Sequence, residues 1–448
     1  MTIVSDASRR RFVGLAIAAA AAAACDRAGF AHPSSGQRAT PAQRFADSIG
    51  VCTHPNWRGT VWGSSDWPGA LKTLGVANIR GKLGSGRAGD AALADISDFL
   101  ARGGKFCALV ANSGQDFDLP AIAKAVDFLA SNLGSRHLSA IEGPNEYNRP
   151  SRRPEDWAPR LRAFQAWLRD RVRADRRLDG VPIVAPSMWG RLSQDYRTLG
   201  NLERNADIGC LHYYTGGRRP SRVGVSSTMT EEGIFADRPL ADAISDARIL
   251  TPGKPLWITE YGYNVAGPGQ KLSRHAITEQ AAAKYLLRGL FEAFAAGVER
   301  TFIYSLLDDR RDPPRYHGLM DQRLRPRASY HAVRNLMALM RDAPARPGPP
   351  ALLEYSLSAA PDLRSHLFAK QDGSFLLALY REIDSYDRWR ARDIAVLPLP
   401  VTLSLRAPAA RIERFTPTIS AAPRERGANV GRLVLPVGDE VTIVRIVP

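Results

Sequence analysis

Apolar residues in this chain gather in short runs that end on polar or ionisable side chains. Eight such runs are Ser48–His54, Ala77–Lys82, Phe106–Asn112, Ser139–Glu146, Pro182–Met188, Ile208–Tyr214, Leu256–Tyr261 and Thr301–Leu307. Their length predicts strands. Between them, Ala91–Ala101, Ala121–Asn132, Trp157–Arg173 and Ala276–Ala296 space their apolar residues at the helical period. Trp67–Leu74 is a shorter helix and Ser329–Met340 a last one. Eight strands alternating with helices over roughly 300 residues predict a (β/α)8 barrel, or TIM barrel, across residues 45–343. A doubly wound open sheet is the alternative, because Gly84-Ser85-Gly86-Arg87-Ala88-Gly89 matches G-x-G-x-x-G between a strand and a helix. The next strand ends at Asn112, where a ribose-binding acid would be needed, so the run reads as a plain βα loop.

The texture changes after Arg341. Pro344, Pro347, Pro349 and Pro350 break the helical pattern. Alternating strands without helices follow at Ser374–Tyr380, Val401–Leu405, Arg411–Phe415, Arg432–Pro436 and Glu440–Ile446. They predict a β-sandwich over residues 344–448, with strands from the barrel's N-terminal flank added to it.

The first 25 residues carry a different signal. Arg9-Arg10-Arg11-Phe12 precedes an apolar run from Gly14 to Ala24. A charged start, a short apolar stretch and small residues describe an export signal, and the paired arginines resemble the twin-arginine type. Ala22-Ala23-Ala24-Cys25 is a weak lipoprotein box, so the expected membrane contact is confined to a lipid anchor at Cys25. Residues 26–44 read as a linker. The expected location is the periplasm or the extracellular space.

Composition narrows the function classes. With 44% hydrophobic and 24% charged residues the chain has material for a full core, which excludes disorder of the whole. Four cysteines are too few for a disulfide scaffold. Cys52, Cys107 and Cys210 have no zinc-ligand spacing and read as buried thiols. The net charge of +16 raises nucleic acid as a partner. Its arginines are dispersed, however, and the run Arg169, Arg171, Arg173, Arg176, Arg177 reads as a solvated helix face, so no nucleic acid is expected. An acidic glycan fits the charge, with Arg191, Arg218, Arg219, Arg310 and Arg311 on rim loops as candidate ligands.

In barrels the chemistry lies where strands end and βα loops begin. The fourth strand ends Glu142-Gly143-Pro144-Asn145-Glu146, and the seventh ends Thr259-Glu260-Tyr261. Two rim carboxylates are what glycoside hydrolysis needs: one proton donor and one nucleophile or base. Glu142 lies deeper in its strand and reads as a buried structural carboxylate, sharing the parity of Glu146. His54, ending the first strand, is either a ligand to a sugar hydroxyl or a packed barrel histidine. Trp57, Trp62 and Trp189 either stack on sugar rings or pack under loops. Asp308 and Asp309 read as loop charges, and no residue set points to a metal or cofactor.

Over residues 47–448 the chain resembles the clan A glycoside hydrolases, most closely family 39 and its neighbours. Asn145-Glu146, Glu260, Arg80 ending the second strand and His212-Tyr213-Tyr214 ending the sixth carry the resemblance, together with Gly318–Asp321 and Arg325–Tyr330. It departs at the eighth strand, where many relatives have Trp and this chain has Tyr304-Ser305. The resemblance implies a retaining β-glycosidase without a cofactor. Glu260 would be the nucleophile and Glu146 the acid/base, with Arg80 and Tyr214 on the nucleophile, Asn145 on the sugar 2-hydroxyl, and His212, His54 and Trp189 at the substrate. A carbohydrate-binding barrel that no longer cleaves is the alternative.

Overall fold

The computed structural model describes residues 36–111, 117–151, 153–190, 193–224, 237–308, 316–342 and 352–448. The expected export signal, most of the linker, the boundary near residue 343, and Arg191, Asp309, Arg310 and Arg311 lie outside the described residues. Eight parallel strands follow one another: β1 Ile49–Cys52, β2 Asn78–Gly81, β3 Lys105–Leu109, β4 Leu138–Glu142, β5 Ile183–Val184, β6 Gly209–Tyr214, β7 Leu256–Gly262 and β8 Arg300–Ile303. They pair in the order β5-β4-β3-β2-β1-β8-β7-β6. A parallel bridge between Val184 and Ile208 joins the two ends and closes the barrel.

The main helices after the eight strands are α1 Trp67–Leu74, α2 Gly86–Ala101, α3 Leu119–Asn132, α4 Trp157–Arg173, α5 Ser193–Leu199, α6 Leu240–Ala247, α7 Glu279–Ala295 and α8 Ala328–Met340, with short helical turns at Val61–Ser64 and Gly134–His137. Local chemistry sets their ends. Asp66, Asp118 and Thr278 cap α1, α3 and α7 by accepting a backbone N–H of the first turn, and Gly75 ends α1 in the left-handed region. The run Gly84–Gly89 is the entry to α2, which starts five residues before the apolar periodicity does. The arginines around α4 pair with Asp170, Asp127, Asp207 and Asp175 on the surface.

Inside the barrel the strands alternate. Cys52, Cys107, Ala140 and Cys210 point to the axis, and Val51, Phe106, Ile141 and Leu211 point to the helices. Trp257 and Phe302 fill the N-terminal end. Gly50 is required there, because a Cβ would lie 2.5 Å from the Phe302 ring. The small residues above leave room for a buried ion pair.

β9 Tyr355–Leu357, β10 Leu363–Ala369, β11 Phe375–Arg381, β12 Leu399–Thr416, β13 Ser420–Val437 and β14 Thr442–Val447 form the C-terminal sandwich. The two short strands expected at 401–405 and 411–415 are one, β12. An irregularity between Ser404 and Ala409 bends it, so its first half pairs with β9 and its second with β14. Alternation along β11 serves two cores. Leu376, Ala378 and Tyr380 pack on the barrel, while Phe375, Leu377 and Leu379 fill the sandwich. The expected linker ends early: Thr40–Pro41 pairs in parallel with β10, and Ala42–Asp47 is a helix that buries Phe45.

Arg288 of α7 rivets the two parts together. It is fully buried, donates to the carbonyls of Arg381 and Ile383 and to Ser385 Oγ, and lies 3.5 Å from Glu382. Removing one partner of a buried ion pair leaves the other uncompensated, so Arg288→Ala is expected to cost about 3 kcal/mol. The denaturant midpoint measures it, and an unchanged midpoint would refute the assignment.

Candidate active site

Arg80 organises the C-terminal end of the barrel. Its guanidinium donates twice to Glu142, at 2.6 and 2.7 Å, once to Glu260 at 2.9 Å and once to Asn145 Oδ1 at 2.9 Å. A 3.9 Å contact to Cys52 Sγ places the remaining N–H. All five donors are used, a pattern only a planar fork provides. Burial works against this charge, yet Glu142 and Glu260 raise the Arg80 pKa well above its ordinary value.

Glu142 is the buried structural carboxylate that the sequence suggested. It is fully inaccessible, and it accepts a further bond from Thr259 Oγ1 at 3.1 Å. Cys107 and Cys210 lie 3.8 and 3.9 Å from its oxygens as weak S–H donors, and burial pushes both thiols up. They therefore line an electrostatic site as well as filling space.

Glu260 reaches the site through a fault in its strand. Trp257 and Thr259 already point to the axis, so strict alternation would turn Glu260 outward. The register of β7 shifts between Ile258 and Glu260 against β6, and across the same residues against β8. This bulge lets Thr259 and Glu260 both face inward and returns Tyr261 to the helices, where it donates to the Tyr285 carbonyl. Glu260 accepts Arg80 on Oε1 and Tyr214 Oη on Oε2 at 2.6 Å, and His212 Nδ1 lies 3.6 Å away. Burial alone would raise its carboxyl. The His212 and Arg80 charges and the Tyr214 hydroxyl outweigh burial and hold the pKa down at about 2. Burial, and then the Glu260 charge, push the Tyr214 phenol well up.

The expected strand Ser139–Glu146 stops at Glu142, so shared parity does not aim Glu146. The chain turns through Gly143-Pro144, Asn145 bridges to Ser187, and Glu146 adopts a left-handed backbone, φ 49°. Its N–H donates to the Ser187 carbonyl at 3.0 Å, with Ser187 Oγ at 3.2 Å. His212 Nδ1 lies 3.0 Å from Glu146 Oε1. One carboxylate oxygen each of Glu146 and Glu260 and a ring nitrogen of His212 fall within 4.8 Å of one another. Nothing in the sequence pattern pointed to Ser187 or to the Thr259 bond.

Other expected residues have surroundings of their own. The His54 ring stacks on Trp57 with centroids 3.8 Å apart and meets Trp62 and Tyr304 edge-on, so its packing is aromatic. Trp62 is buried and packs on Trp67, which excludes it as a sugar platform. Trp189 is half-buried after β5, its main chain held by Asn148. No hydrogen bond or ring contact joins it to the carboxylates among the described residues. Asp308 is no loop charge: it is buried and pairs in bidentate fashion with Arg327 at 2.7 and 2.8 Å. Arg218 is buried, with an Nη1 contact to the Thr215 carbonyl. Arg219 donates to the Glu382 carbonyl of the sandwich. Each of these contacts engages a single guanidinium nitrogen. At the eighth strand Tyr304 presents its ring edge-on to Tyr214 and His317, centroids 6.4 and 6.0 Å away.

Solved structures share this architecture. A family 39 glycoside hydrolase from Bacteroides cellulosilyticus WH2 superposes with a TM-score of 0.61 at 14% identity, covering 91% of this chain and 82% of that one. A GH39 enzyme from Xanthomonas axonopodis pv. citri gives 0.59 at 14%, covering 95% and 99%. A monomeric β-xylosidase from Caulobacter crescentus CB15 gives 0.59 at 13%, covering 92% and 98%. The fold is that of the family 39 glycoside hydrolases. No family model matches the chain, and no curated protein matches it. At these identities the likeness concerns the barrel and its sandwich, and the chemistry rests on the side chains described above.

Proposed function

We propose that the protein is a retaining β-glycoside hydrolase. The observation that carries the reading is that one carboxylate oxygen each of Glu146 and Glu260 come within 4.8 Å of one another, with His212 between them. Retaining sites hold their carboxyls about 5–5.5 Å apart, and inverting sites leave about 6.5–9.5 Å for a water. The environments divide the roles. Glu260, bound by Arg80 and Tyr214 and depressed to about 2, stays ionised and attacks the anomeric carbon. Glu146, half-buried and free of any arginine among its described contacts, protonates the departing oxygen. The C–O bond to the leaving group breaks as the bond to Glu260 forms. Water then enters on the same face, gives its proton to Glu146, and displaces Glu260. Asn145, whose Oδ1 accepts from Arg80, would hold the sugar 2-hydroxyl. The glycosidases named among the solved relatives, a β-xylosidase and a glucosidase, make xylosides and glucosides the first substrates to try. The net charge of +16 favours chains that also carry carboxylates.

Proton NMR of the first product tests the reading. A β-linked substrate should release the β-anomer, and the α-anomer appearing first would overturn it. Export belongs to the same proposal and rests on Arg9-Arg10 before the apolar run. Replacing both with lysine should hold the protein in the cytoplasm, and an unchanged exported yield would argue for another route.

A further inference from the structure

The sandwich sends one short hairpin back to the catalytic face, Tyr386–Asp387 paired with Arg392–Asp393. It lies against the loops that follow β6 and β7. Arg388 donates to the carbonyls of Gly216 and Arg274, Tyr386 Oη to the carbonyl of Ser273, and Thr278 Oγ1 to Asp393. Gly216 is two residues beyond Tyr214, whose hydroxyl holds the Glu260 carboxylate. The base of the hairpin is fixed as well, because Tyr285 Oη accepts the N–H groups of Ser385 and Tyr386. At the tip, Asp387 accepts the N–H groups of Trp389 and Arg390 and sets the turn. Trp389 is nevertheless 82% exposed. An indole on a hairpin pinned this firmly loses little freedom when a ligand covers it.

We infer that Trp389 is a stacking platform for a pyranose ring of the glycan chain, outside the subsite where the bond breaks. The inference rests on the glycosidase reading for its occupant, and on geometry for its place: the hairpin is continuous with the rim that carries the two carboxylates. A pyranose offers an apolar C–H face to an aromatic ring and hydroxyls at its edge, which suits an aromatic flanked by donors. Arg390 and Arg392 follow Trp389 and are exposed; Arg390 pairs loosely with Asp387 at 3.4 Å, and Arg392 forms no ion pair among the described residues. Their guanidiniums would take ring hydroxyls or, on a uronic acid, the carboxylate. The sandwich thus contributes to substrate capture by the barrel.

The test uses the full chain and an array of β-linked oligosaccharides, neutral and uronate-bearing. Wild type should bind at least one of them, and Trp389→Ala should weaken that binding about tenfold while Trp389→Phe restores most of it. With a bound oligosaccharide that is also cleaved, the ratio of kcat/KM for it to kcat/KM for an aryl monoglycoside should fall by a similar factor. Loss confined to uronate-bearing chains in Arg390→Gln with Arg392→Gln identifies the carboxylate as what the arginines hold, and equal loss on neutral chains identifies hydroxyls. The inference is overturned if wild type binds no glycan, or if Trp389→Ala binds every glycan as wild type does. Binding lost in the variant of a wild type that cleaves nothing would sink the hydrolase reading and leave the platform standing.

Discussion

Glu260→Ala should lose at least about 10⁴-fold in kcat on a β-glycoside, because the residue that forms the covalent bond is gone. Azide should restore turnover. It is small enough to occupy the space left beside Arg80 and Tyr214, and it attacks from the side the carboxylate vacated. The product should therefore be the α-glycosyl azide, identified by NMR. Near-wild-type activity without azide, or a β-azide with it, would remove Glu260 from the role of nucleophile.

Glu146→Ala should separate substrates by leaving group. A poor leaving group needs the proton, and general acid catalysis contributes about 10²–10⁴-fold. A dinitrophenolate does not need it, so its release should be much less affected. The acid limb of the kcat/KM profile belongs to Glu260, whose ionisation is held down at about 2, so it should fall well below the ordinary carboxylate range. The same depression stabilises the fold. That contribution is complete above the unfolded pKa of about 4.3 and disappears as pH falls through about 2. Unfolding followed against pH separates the two effects. Equal losses on poor and good leaving groups in Glu146→Ala would assign the proton donor elsewhere.

Much of this site can be read along the chain wherever alternation holds. Cys210, His212 and Tyr214 point inward from β6 as a two-residue period requires, and the ends of β2, β4 and β7 put Arg80, Asn145 and Glu260 at one rim. Legibility fails where the backbone leaves that period. The bulge in β7 and the left-handed Glu146 are backbone events with no apolar signature. Asp308 is buried by Arg327, 19 residues away, and the separation hides the pair. Helix α5 is only seven residues long with Tyr196 and Leu199 as its apolar side chains, too few for a helical period to stand out. Residues 420–431 of β13 are rich in Ala, Arg and Gly and include no buried position, so they present no alternation to detect.

The closure of the sandwich has a consequence for how the chain is made. Thr40–Pro41 finds its partner only at Phe368–Ala369, and Arg288 finds its acceptors only at Arg381–Ser385. On a ribosome, which delivers residues in order at about 5–20 per second, a strand near the start of the described chain and a buried cation further along it both wait for its last hundred residues. Until those emerge, Phe45 and the barrel face that later meets Leu376 and Tyr380 stay open to water. The nascent barrel is thus an intermediate with an unsealed flank. A gene cut after α8 would encode that intermediate permanently.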